Sequence, residues 1–153
     1  MILFISELIL CVQFLFLFIY FNMKLNTIIP FSIISLVSFL YENVYLKNCN
    51  KNLYTYLISL LHHIGSMYIV FGSLFFKNYL IHLIIVIFTV SLWQVFDNRC
   101  ILTLYYNKLC ELPEKSGHKD IVYLINKVLD VKNFHYYVAG SIIIFDLVMI
   151  LKK

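Results

Sequence analysis

The sequence predicts an all-α, polytopic membrane protein: a transmembrane helical bundle of about five spans, with amphipathic surface helices between the fourth and fifth. Three observations predict it. Of the 153 residues, 62% are hydrophobic and only 13% are charged, whereas a soluble domain is nearer half apolar and a quarter charged. Several apolar runs approach the roughly 20 residues that cross a bilayer. The basic residues stand between these runs instead of forming a patch, so the net charge of +4 reads as a topology signal and excludes a nucleic-acid surface. A chain of this length makes a single membrane domain, 1–153.

The first run, 1–21, lacks a basic n-region and a small-residue cleavage site, so it is predicted as a first span and not a cleaved signal. A second span covers about 28–46, with Pro30 in its first turn, where a missing N–H costs nothing, and Glu42 near its far end. The third and fourth spans, 53–76 and 79–96, are separated only by Lys77-Asn78, which forces a tight antiparallel hairpin.

After Asp97 the pattern becomes amphipathic over 98–132. One segment runs from Arg99 to Glu111 with Asn98 as its N-cap. Leu112-Pro113 and the residues to Gly117 break it. Ser116 then caps a second segment. Its residues Ile121, Leu124, Ile125, Val128 and Leu129 share one face, and Lys119, Asp120, Asn126, Lys127 and Asp130 point away. Such segments lie along a membrane surface or on a partner. The last run, 134–151, is a fifth span with Asp146 inside it.

With five spans, Lys47, Lys51, Arg99, Lys108, Lys115, Lys119, Lys127 and Lys132 fall on one side, and Lys24, Lys77, Lys152 and Lys153 on the other. The positive-inside rule makes the first side, with the N-terminus and the 2–3 and 4–5 loops, cytoplasmic or matrix-like. Which membrane this is stays open. Cys11, Cys49, Cys100 and Cys110 show no Cys-x-x-Cys spacing, and no Asn-x-Ser/Thr site occurs. Neither a disulfide scaffold nor a glycosylated ectodomain is expected.

Ionisable groups inside spans are the functional candidates. His62 and His63 lie roughly 14–15 Å down the third span, and Asp146 roughly 18 Å down the fifth, which runs the same way. A His62 or His63 pair with Asp146 near the midplane would relay protons, orient a catalytic imidazole, or simply hold helices together. A second cluster, on the cytoplasmic-like side, is Asp97, Arg99, Cys100 and Thr103 with Glu42, where Asp97–Arg99 also reads as a helix-end salt bridge.

No metal and no bound cofactor are predicted. Cys100, Cys110 and His118 match no common zinc spacing. A bis-histidine b-type haem needs two histidines at one depth, and His62, His82 and His135 fall at different depths. A haem sharing a ligand with a partner subunit stays open. No P-loop, Gly-x-Ser-x-Gly or His-Glu-x-x-His motif is present. The leading expectation is therefore a non-catalytic small subunit or assembly component of a membrane complex. Its partners would be the lipid bilayer and other membrane subunits or further copies of the chain. The alternatives are a small membrane enzyme or proton-coupled carrier using a His–Asp pair, and a haem-binding electron-transfer subunit.

The run Leu61-His62…Gly72, then His82-Leu83…Trp93, then Cys100-x-Leu102-Thr103-x-x-x-Asn107-x-Leu109 resembles an uncharacterised family of small bacterial integral membrane proteins. Their signature is His-Leu, a tryptophan, and Cys-Pro-Leu-Thr-x-Leu-Glu-Asn-x-Leu-Arg, with similar versions in large DNA viruses. The resemblance spans Leu61 to Cys110. Ile101 stands at the family's proline, Tyr105 at its leucine, Tyr106 at its glutamate and Cys110 at its arginine. The resemblance implies a membrane unit with His82, Trp93, Cys100 and Thr103 as matched positions. It implies no reaction.

Overall fold

The computed structural model describes residues 25–45, 49, 52–113 and 116–152. Among these the chain is all-α, with six helices and no strand: α1 (Leu25–Tyr45), α2 (Leu53–Phe76), α3 (Tyr79–Val95), α4 (Ile101–Leu109), α5 (Ile121–Leu129) and α6 (Phe134–Leu151). The expected first span, 1–21, lies outside the described residues. Helices α2 and α6 are long and apolar enough to cross a membrane, and α1 and α3 carry shorter apolar stretches, Thr27–Asn43 and Tyr79–Val95.

Local chemistry sets most of the boundaries. Asn52 and Thr55 form a reciprocal capping box that starts α2. Lys77 ends it in the left-handed region, and Asn78 at once caps α3 through the N–H of Ile81. The two-residue hairpin expected from Lys77-Asn78 is thus formed by one C-cap and one N-cap. Pro30 does not sit in a first turn. It lies inside α1, because helical structure is already present at Leu25.

The amphipathic region departs further from expectation. Asp97 and Asn98 both adopt positive φ, a turn geometry that bars Asn98 from the extended conformation of an N-cap. Cys100 takes that position instead, and α4 starts at Ile101. Asp120, not Ser116, caps α5 by accepting the N–H of Tyr123 at 2.9 Å. Only α5 behaves as a surface helix, with no buried residue. Helix α4 buries Ile101, Leu102, Thr103, Tyr106 and Asn107 and packs against α2.

Helix α2 is the hub, touching α1, α3, α4, α5 and α6, while α3 and α6 form a second antiparallel pair. One core gathers Phe31, Met67 and Tyr68 between α1 and α2. The other joins Ile58 to Ile101, Leu102 and Tyr106. A disulfide between Cys49 and Cys110 closes the second core, tying the segment before α2 to the end of α4. Spacing alone could not reveal this bridge, since 61 residues separate the two cysteines. It corrects the expectation of unpaired, scattered thiols.

At Gly72, α2 and α3 lie too close for a side chain. A Cβ there would meet His82 Cδ2 at 2.8 Å and overlap the Tyr68 ring. Both neighbours are buried, so neither yields easily. Gly72→Ala is expected to lower stability by about 1–3 kcal/mol, read as a drop in the thermal unfolding midpoint in detergent. An unchanged midpoint would mean that the hairpin is looser than described.

Candidate functional site

Successive helical residues point about 100° apart. His62 and His63 therefore face different neighbours from one turn of α2, and each finds its own carboxylate. His63 looks toward α1, where its Nε2 contacts Glu42 Oε2 at 2.7 Å and its Nδ1 meets Ser38 Oγ at 2.8 Å. His62 looks toward the segment leading into α5, where its Nε2 contacts Asp120 Oδ2 at 3.1 Å. Ser66, one turn on, donates to the same oxygen at 2.6 Å.

The Cys100 thiol lies beside the His62 imidazole, close enough for the two to couple electrostatically. Cys100 is the one free cysteine among the described residues and is partly exposed. As the N-cap of α4 it faces the first-turn amides, which have no partner within a helix. Its thiol closes no capping hydrogen bond of strict geometry. The N–H groups of Thr103 and Leu102 are still near enough to favour the thiolate. Burial pushes the thiol up, but His62 and these amides outweigh it, and the net shift is below the ordinary thiol value. Burial likewise opposes ionisation of Asp120, yet the contacts from His62, Ser66 and the Tyr123 amide hold it down at about 2.

A cavity of about 230 Å³ opens beside this trio. Leu61, Ile69, Ile85, Phe88, Leu92 and Val138 form its apolar wall, and His62, Ser66, Cys100 and Asp120 are among its polar lining. Trp93 and His135 also line it, their rings edge to face at 5.1 Å.

Next to the thiol group lies a second cluster. His118 Nδ1 contacts Glu42 Oε2 at 2.8 Å, and the Lys119 amide donates to Oε1 at 2.9 Å. The His118 ring stacks on His62 with centroids 4.1 Å apart. Burial, and then the neighbouring His62, push His118 down to about 4.

The structure re-pairs the sequence candidates. Asp146 is bonded to His82, Nδ1 to Oδ2 at 2.5 Å, and not to His62 or His63. Asp146 is five residues from the end of α6 and His82 three from the start of α3, so antiparallel packing puts them level. Asp97 stands out in solvent at 88% side-chain exposure, 3.5 Å from Arg99, as a helix-end pair away from the site. Cys100 and Thr103 stand together at the start of α4, while Glu42 belongs to the neighbouring cluster with His63 and His118. Asp120 was not among the sequence candidates, and His118 was considered only beside Cys100 and Cys110. Asp120 was expected to point outward, because an acidic residue beside lysines reads as a solvated face. Its place just before an apolar run, as an N-cap, was the available signal.

No protein-family model, curated protein or solved structure matches the chain.

Proposed function

We propose that the protein is a small membrane-embedded thiol enzyme that transfers or hydrolyses acyl groups. The observation that carries this reading is the Cys100–His62–Asp120 constellation on the wall of an apolar cavity. It has the parts that nucleophilic acyl chemistry needs: a nucleophile, a base within reach, and a carboxylate that orients the base. In this reading Cys100 sulfur attacks the carbonyl carbon of an ester or thioester. The alcohol or thiol leaves with a proton from His62. Water or an acceptor hydroxyl then attacks the Cys100 thioester, giving its proton to His62 and freeing the thiol. The Leu102 and Thr103 amides face the sulfur and are placed to stabilise the oxyanion. The apolar wall suits an acyl chain.

A bilayer setting supports the same reading. Helix α6 buries only Ala139 and Asp146, leaving Tyr137, Ile144, Phe145, Leu147, Val148 and Leu151 exposed. Apolar faces of this extent need lipid or a partner. In the five-span arrangement α1, α2, α3 and α6 are spans two to five. The thiol site then lies at the face carrying the 4–5 segment. This reading takes the enzymatic alternative over the subunit one, with Asp120 in place of Asp146.

That face also carries the Cys49–Cys110 disulfide. Disulfides persist in oxidising compartments, so we assign the face to a lumen or exterior, against the lysine count. A membrane-impermeant maleimide added to intact cells after mild reduction is expected to label Cys49 and Cys110. Labelling only after permeabilisation would restore the cytoplasmic assignment.

The function test is incubation of the detergent-purified chain with a long-chain acyl thioester. The expected result is an acyl adduct, seen by intact mass, that neutral hydroxylamine removes. Absence of any adduct across ester and thioester donors would overturn the proposal.

A further inference from the structure

The second cluster holds more than the thiol chemistry uses. Glu42 Oε2 receives His63 Nε2 at 2.7 Å, His118 Nδ1 at 2.8 Å and Ser59 Oγ at 3.3 Å. A carboxylate oxygen offers two lone pairs, so three donors crowd one atom. The three residues are buried and come from three separate segments, α1, α2 and the chain before α5. Their ligating atoms lie within 4.8 Å of one another.

The geometry points to a divalent transition-metal site formed by Glu42, His63 and His118, with Zn²⁺ the fitting ion. Two imidazole nitrogens and one carboxylate oxygen make a three-ligand zinc set with a fourth position open, as in catalytic zinc sites. That donor set disfavours Ca²⁺ and Mg²⁺, which take oxygen ligands. Zinc bonds near 2.0–2.2 Å in a tetrahedron put ligand atoms a little over 3 Å apart, so each Glu42–histidine pair, at 2.7 and 2.8 Å, has only to open by roughly half an ångström.

The surroundings carry the features that hold such ligands. Ser38 Oγ lies 2.8 Å from His63 Nδ1 and can accept its N–H hydrogen bond once Nε2 is on the metal. The Lys119 amide fixes Glu42 Oε1 at 2.9 Å. His118 is held differently from His63. Its Nε2 is buried with no hydrogen-bond partner, so hydrogen bonds do not hold the ring on both sides. Stacking on His62 and contact with Tyr106, at 4.1 and 4.5 Å, aim its Nδ1 at the cluster. None of the three ligands belongs to the thiol constellation, so the site goes beyond that reading.

The test is metal retention by the full chain in mild detergent. The protein is stripped with a chelator, reloaded with Zn²⁺, passed through gel filtration and assayed by mass spectrometry for metal. The expected result is about one zinc per chain, as a three-ligand site with one open position requires, and visible Co²⁺ bands when cobalt replaces it. His118→Ala and Glu42→Gln are expected to fall to background. Ser38→Ala should weaken binding about 10–100-fold, and Cys100→Ser should retain the metal. A folded wild-type chain that keeps no zinc overturns the site. So does zinc that His118→Ala retains, or zinc lost from Cys100→Ser alone. If Glu42→Gln does not fold, wild-type stoichiometry and His118→Ala decide. A metal-binding chain that forms no acyl adduct would uphold this site while sinking the thiol reading.

Discussion

Cys100→Ser is expected to abolish the hydroxylamine-labile acyl adduct while leaving the helical content and membrane accumulation of the chain intact. Serine keeps the N-cap of α4 and improves it, so the local fold has no reason to fail. What it removes is a sulfur held below its ordinary pKa by His62 and the amides of Thr103 and Leu102. A serine hydroxyl is far harder to ionise, and adduct formation should fall by at least about 10³-fold. His62→Ala removes the base and should cost about 10²–10⁴-fold. Asp120→Asn keeps an N-cap and a hydrogen bond to His62, so a comparable loss there would mark Asp120 as an orienting residue and not only a cap. The outcome that defeats the scheme is an adduct unchanged in Cys100→Ser, or one that moves to Cys11.

Asp146→Ala should produce the largest loss of stability away from that site. Asp146 is fully buried in the face that α6 turns to α3, and His82 beside it is 1% exposed. The ring is held at both ends, since Nε2 donates to the Tyr68 carbonyl at 3.0 Å. The proton between Nδ1 and Asp146 belongs to the pair. Removing the carboxylate leaves a buried imidazole nitrogen without a partner, which typically costs about 1–3 kcal/mol before the cavity is counted. The double variant His82→Leu with Asp146→Leu should recover much of this, because an apolar pair asks for no compensation. Thermal midpoints of the two variants and of wild type complete the comparison. Folded material from the double variant should acylate as wild type does. If it is fully stable but inert, the pair belongs to the chemistry and not to the scaffold.

How much was legible in the sequence differs sharply between helices and site. The all-α class followed from composition and run length, and the limits of α2 and α6 followed to the residue. Asn52, Asn78 and the left-handed Lys77 act within one turn of the chain, so their effect is written locally. Glu42, His62, Cys100 and Thr103 were visible too, as polar groups set in or beside apolar runs, where each needs a partner.

The partners themselves were not visible. Depth along a straight helix put His62 and His63 near Asp146, but depth carries no information about azimuth. The two histidines point about 100° apart, one to Glu42 and one to Asp120. Asp146 lies on the side of α6 that faces α3. Asp120 was placed on the outward face of an amphipathic segment, His118 stands before any apolar face, and Cys49 meets Cys110 across three intervening helices. Local sequence determined where helices start, stop and show an apolar face. Which carboxylate meets which imidazole, and which thiol stays free, was decided by how α1, α4 and the segment before α5 close around α2. That closure depends on packing between residues distant in the chain, which no short-range pattern encodes.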